Sequence, residues 1–114
     1  MKFERFEDMI VWQKSQELAL LIYKTFQACK DFGFRDQIQR AAVSISNNTA
    51  EGFERKSNKE FKQFLFIAKG SAGELRNMLY IAKNLGYISD EHFNFQNELS
   101  LSISKMLSSL IKTL

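Results

Sequence analysis

The sequence predicts an all-α fold, an antiparallel up-down-up-down four-helix bundle, on three observations. The 114 residues contain no proline and only five glycines, so little in the chain interrupts a helix. Apolar residues recur at spacings of three, four and seven over four long stretches, the signature of helices with one buried face. The stretches are separated by only a few residues each, and short connections between long helices force antiparallel neighbours.

The first helix is expected over about residues 8–30, with Asp8 as its N-cap and Val11, Leu18, Ile22, Phe26 and Cys29 facing inward. Asp31-Phe32-Gly33 is expected to end it, Gly33 taking a positive φ. The second covers about residues 34–54, with Ile38, Ala41, Ala42, Ile45, Thr49 and Gly52 along one face. These side chains are small enough to let a neighbouring backbone come close. Its centre, Ser44 to Thr49, is a poor helix former by propensity. The third, about residues 58–85, opens on the capping box Ser57-Asn58-Lys59-Glu60. Phe61, Leu65, Ala68, Ala72, Leu75, Leu79 and Ala82 line its core face, and Gly86 stops it. Ser89 caps the fourth, about residues 90–112, whose apolar face is Phe93, Leu99, Ile103, Met106, Leu107 and Leu110.

Residues 1–114 read as a single domain, since the chain has no internal repeat, low-complexity tract or linker. A hydrophobic content of 45%, with 11 phenylalanines, is enough for a real core. The net charge of +3 permits an anionic partner without demanding one. A single cysteine, Cys29, excludes an intrachain disulfide and fits a reducing compartment. Glu4, Glu7 and Asp8 stand where a secretory signal needs basic and then apolar residues. No apolar run approaches the ~18 residues of a membrane span. A cytoplasmic protein without a membrane role is therefore expected.

Few residues offer catalytic chemistry, and the expectation is a protein that is not an enzyme and has no cofactor. His92 lies in the first turn of the fourth helix beside Asp90 and Glu91. A metal site needs more converging ligands, and the Glu-x-x-His pairs of di-iron bundles are absent from the sequence. Cys29 has no histidine in sequence reach and reads as a small buried hydrophobe. No arginine precedes His92 at the spacing of helical ribonucleases, and no glycine-rich phosphate loop follows a strand. Gly70-Ser71-Ala72-Gly73 sits inside a strong helix, where each glycine costs roughly 1 kcal/mol against alanine. Close helix–helix packing is the expected reason, with a bend or an opening for a partner as the alternative.

Several segments together carry a family resemblance. They are Phe6-Glu7-Asp8-Met9-Ile10-Val11-Trp12-Gln13-Lys14, the run Gln37 to Ile45, Asn48-Thr49-Ala50-Glu51-Gly52, the run Phe64 to Ser71, Glu74-Leu75, and Leu85-Gly86-Tyr87-Ile88. Over nearly its whole length the chain resembles the small bundle proteins encoded by intervening sequences inside bacterial 23S ribosomal RNA genes. It departs from that pattern at Ser46, where proline is common, and at Thr49, where isoleucine is common. The resemblance implies a homopentameric barrel. It also implies kinship with the accessory variability determinant of diversity-generating retroelements, a basic bundle that binds nucleic acid and a reverse transcriptase. It implies no catalytic activity.

Arg40, Glu51 and Glu74 are polar residues of that pattern. In a hairpin turning near residues 55–58, Arg40 comes level with Glu74 and Glu51 with Lys62. An Arg40–Glu74 ion pair fixing helix register is therefore expected, with a polar ligand pocket as the alternative.

Lys62, Lys69, Arg76 and Lys83 recur every seven residues on the third helix, and Arg55 continues the series backwards. Nearly two turns separate successive members, so they mark one edge at ~10 Å intervals. Lys56 and Lys59 add charge at one end. This stripe is the candidate contact for nucleic-acid phosphates, with structured RNA the favoured ligand. A solvated face is the plainer reading, and it leaves a protein–protein scaffold as the alternative function.

Self-association is expected on separate grounds. Ile10, Trp12, Ala19, Leu21 and Tyr23 cannot all point inward with Val11, Leu18 and Ile22. Phe66, Ile67, Tyr80, Ile81, Phe95, Leu101 and Ile111 are likewise surplus to one apolar stripe per helix. Burial against identical subunits resolves this, and a ring closes a repeated contact. The number five comes from the resemblance.

Overall fold

A computed structural model describes residues 3–114. A 3-10 turn at Phe6–Asp8 leads into α1 (Ile10–Phe26), α2 (Phe32–Phe53), α3 (Asn58–Asn84) and α4 (Asp90–Lys112). The bundle measures 43 × 22 × 19 Å, and its long axis matches the ~40 Å expected of the longest helix at 1.5 Å per residue. Each helix packs on the next in chain order, and α4 returns to α1. Ser44 meets Ser71 while Gln37 reaches Glu74, so α2 and α3 run antiparallel.

Local chemistry sets the ends. Ser57 Oγ accepts from the Glu60 N–H at 3.2 Å, and Ser89 Oγ accepts from the His92 N–H at 3.1 Å. Gly86 takes φ +76°, the Tyr87 N–H donates to the Ala82 carbonyl at 2.8 Å and the Gly86 N–H to Lys83 at 3.1 Å. That is the Schellman arrangement, which satisfies the last carbonyls of α3. The Tyr87 hydroxyl donates to Asp31 Oδ2 at 2.9 Å. This bond is the main reason its phenol pKa lies above the ordinary value.

The first connection differs from expectation. Asp8 lies in the 3-10 turn, and α1 begins at Ile10 without a side-chain cap. Helix α1 ends at Phe26, and Asp31-Phe32-Gly33 starts α2 instead of stopping α1. The Asp31 carboxylate accepts from the Phe34 N–H at 3.2 Å, so the aspartate acts as an N-cap. Gly33 therefore sits in the first helical turn, and Gly86 is the glycine with positive φ. Beyond the end of α1, Cys29 is half-buried against the core instead of fully buried.

The core follows the helical period. Leu18, Ile22, Ile38, Ile45, Phe61, Leu65, Ala68, Leu75 and Leu79 are all buried. The centre of α2 is helical despite its low propensity, and its polar side chains find partners on α2 and α3. Thr49 Oγ1 donates to the Ile45 carbonyl at 2.8 Å, Asn48 Nδ2 to the Ser44 carbonyl at 2.8 Å, and the Ser44 and Ser71 hydroxyls bond at 2.8 Å. The close approach of α2 to α3 is centred on Gly52, where a Cβ would lie 2.6 Å from Phe64 Cβ. Helix α4 departs from a purely apolar face, because Gln96, Ser100 and Ser104 are buried along it. Gln96 Nε2 donates to Thr25 Oγ1 at 2.7 Å and Ser100 Oγ to the Ala72 carbonyl at 3.3 Å.

Candidate nucleic-acid interface

The stripe on α3 is not a uniform row of solvated cations. The Arg55 guanidinium pairs with Glu51 at 3.1 Å and lies over the Phe64 ring, 4.8 Å from its centre. Arg76 turns toward α4 and donates to Ser104 Oγ at 2.7 Å. The Lys83 ammonium sits 4.7 Å from the centre of the Phe93 ring. Lys56 and Lys59 are exposed at the α2–α3 turn, and Lys62 is half-buried one turn later.

Lys69 differs, because α4 brings further cations to it. With Leu101, Ser104, Lys105, Ser108, Ser109 and Lys112 it lines a shallow groove of about 400 Å³ between α3 and α4. The lining carries three ammonium groups, three hydroxyls and no carboxylate. Among the described residues the ion pairs use Arg5, Lys14, Arg35 and Arg55, and none uses Lys69, Lys105 or Lys112. Like charges around one groove repel, and a bound anion relieves that repulsion. The hydroxyls add hydrogen-bond donors suited to phosphate oxygens. Arg76 is anchored at the edge of the groove through Ser104, which also lines it.

Lys105, Lys112 and the three serines were not among the expected site residues. Their signal was present: Lys105 and Lys112 repeat the seven-residue interval of α3. The acids of α4 obscured it. Asp90, Glu91 and Glu98 lie in the first part of that helix and the lysines in the second. In an antiparallel pair the lysine end runs beside Lys69, so the two basic stretches add.

The expected Arg40–Glu74 pair is not formed. Glu74 accepts from Gln37 Nε2 at 3.5 Å instead, and no ion pair joins the two expected partners among the described residues. Being level along the axis is not sufficient. Arg40 is three residues past Gln37, which turns it about 60° around the helix, away from the edge that faces α3. It lies instead with Tyr23, Ser44, Asn47, Asn48 and Glu51 around a groove of about 370 Å³ on the outside of α2. That groove holds both a guanidinium and a carboxylate, so it has no clear preference of charge. Glu51, expected level with Lys62, spends its carboxylate on Arg55.

The glycines inside α3 also lie elsewhere than expected. Gly70 is exposed, and a Cβ there would meet nothing within 4 Å, whereas one at Gly73 would meet only the Arg76 guanidinium at 3.8 Å. Packing inside the subunit therefore does not explain them. They share the outer face of α3 with Phe66, Ile67, Tyr80 and Ile81, which are 54%, 52%, 51% and 41% exposed. Of the residues expected to be surplus on α1, Ile10 and Tyr23 are exposed, Trp12 and Leu21 are half-buried, and Ala19 is buried.

His92 is exposed in the first turn of α4. Among the described residues no three His, Cys, Asp or Glu side chains converge to hold a metal ion. No helix among them is long and apolar enough to cross a membrane.

Comparison with known proteins agrees with the fold. The family model described as 23S rRNA-intervening sequence protein matches residues 7–109. A crystal structure of a protein of unknown function from the S23 ribosomal protein family of Bacteroides thetaiotaomicron superposes with a TM-score of 0.85. It is 34% identical in sequence, and the match covers 90% of this chain and 99% of that one. No curated protein matches the chain.

Proposed function

The chain belongs to the 23S rRNA-intervening sequence protein family, and from that premise we propose that it is a non-enzymatic accessory protein of the cytoplasm that holds the phosphates of structured RNA in the α3–α4 groove. The groove carries this reading, with Lys69, Lys105, Lys112 and the hydroxyls of Ser104, Ser108 and Ser109 around one opening. Lys62 continues the edge two turns before Lys69, and Lys56 and Lys59 extend the charge past the α2–α3 turn. Arg55, Arg76 and Lys83 are held by their own subunit and contribute to the field more than to contacts. Contacts to phosphates make the binding steep in salt and weak in sequence preference.

Self-association belongs to the same proposal. The outer face of α3, with two glycines that cost stability and have no close packing in the subunit to explain them, is suited to a second copy of the chain. The family resemblance supplies five as the number of copies. A ring repeats the groove, and several weak sites then act together on one polyanion. The same outer face supports the second reading, a scaffold that docks another protein and uses no nucleic acid.

A mobility shift with a folded RNA at low and high salt separates the two. The first reading expects a complex at low salt that dissolves as salt rises. It also expects loss of the complex in the Lys69→Gln, Lys105→Gln, Lys112→Gln variant. An RNA complex indifferent to salt, or a triple variant that binds like the parent, removes the groove from the account. Mass by light scattering tests the assembly: a stable 13.3 kDa monomer at micromolar protein contradicts it.

A further inference from the structure

On the other side of α4 lies a second trough, of about 390 Å³, between the start of α1 and the end of α4. Its character is opposite to that of the basic groove. Met9 and Val11 are buried in its floor, Ile10 is 55% exposed on its wall, and Met106 and Leu110 face them from α4. Ser102, Lys105 and Ser109 supply its few polar groups. Two of these, Lys105 and Ser109, also line the basic groove. An apolar slot and a cationic groove thus meet along one short stretch of α4.

A ligand that fits both sides is apolar and flat in one part and anionic in the next. A nucleotide with its base unpaired has that form. Its ring buries two apolar faces, its edge carries donors and acceptors for hydroxyls, and the phosphates on either side are charged. Methionine sulfur and aliphatic side chains make good contact with an aromatic ring. A base-paired nucleotide cannot supply this, because its ring is already stacked and its edge already bonded. We propose that the α1–α4 trough takes an unpaired nucleobase while its phosphates lie across Lys105 in the α3–α4 groove. This rests on the proposed phosphate site and adds to it a preference for single-stranded or looped RNA.

Fluorescence anisotropy at one moderate salt concentration tests it with three labelled probes. They are a short single-stranded RNA, the same strand annealed to its complement, and the same strand with abasic residues in place of its bases. The single strand is expected to bind about tenfold more tightly than the other two, the scale of one stacked base. Ile10→Gln should lose most of that advantage and leave the duplex affinity unchanged. Ile10 is largely exposed, so the substitution leaves the core intact. If the abasic strand binds as tightly as the intact one, the trough takes no base, and an apolar side chain of a protein becomes its better occupant. The phosphate site survives that result. If none of the probes binds, both proposals fall together.

Discussion

Helix α3 faces its own bundle on one side and open space on the other, and glycine appears at both boundaries for different reasons. Toward α2 the partner glycine is Gly52, where an added Cβ would press on Phe64 Cβ at 2.6 Å and Phe61 Cδ1 at 3.0 Å. There the missing side chain lets two backbones approach. On the outside, Gly70 has no atom within 4 Å of where its Cβ would be, so the missing side chain serves nothing in the subunit. The proposed contact with a second copy would account for a helix that gives up roughly 1 kcal/mol at each such glycine. The difference teaches that a glycine is read from its neighbours and not from its place in the pattern.

The largest expected effect probes the inner side. Leu75 is fully buried, and Leu75→Ala should cost about 2–5 kcal/mol as a cavity mutation. Chemical denaturation measures it, and a loss below about 1 kcal/mol would place the residue in a site that collapses or is open. Gly52→Ala should cost about 1–3 kcal/mol by overpacking α2 against α3. An unchanged denaturation midpoint would mean the two helices separate easily.

The outer side behaves in the opposite way. Phe66→Glu should leave the subunit folded and shift its mass by light scattering toward 13.3 kDa, and Tyr80→Glu should do the same at some cost in stability, because the Tyr80 ring packs edge-on against Phe93 with centroids 5.0 Å apart. Lys24→Glu, on exposed α1 surface, serves as the control for charge. Equal effects at the three positions would move the interface away from α3. The smallest effect is at Gly70→Ala, which should raise subunit stability by about 0.5–1 kcal/mol and weaken assembly. A variant that is more stable and assembles as before would show that the glycine space is unused.

Much of the fold was legible because it rests on period and caps. The four helices, the Ser57 and Ser89 caps and the Gly86 stop depend on neighbours in sequence, and the chain states them locally. The misread connection at Asp31 turns on one geometric choice. An Asp-x-Gly stretch between helices serves equally as the end of one or the cap of the next. The site was less legible because it belongs to two helices. The spacing of Lys62, Lys69, Arg76 and Lys83 showed an edge, but a spacing does not show which cations find partners. Arg76 found Ser104 and Lys83 found Phe93, both on α4. The same packing brought Lys105 and Lys112 to Lys69. Arg40 and Glu74 failed to pair for a related reason, since axial level was readable from the hairpin and rotation about α2 was not.

The edge of α3 that meets α4 carries the functional claim, and one measurement bears on it most directly. That is the slope of log affinity for a single-stranded RNA against log salt, for the parent and for a variant with Lys62, Lys69, Lys105 and Lys112 all changed to Gln. Four phosphate contacts predict a parent slope of about −3 per subunit engaged, and removing all four should bring it close to zero in a protein that still melts cooperatively. A parent slope already near zero, or a variant slope equal to the parent's, would contradict the account.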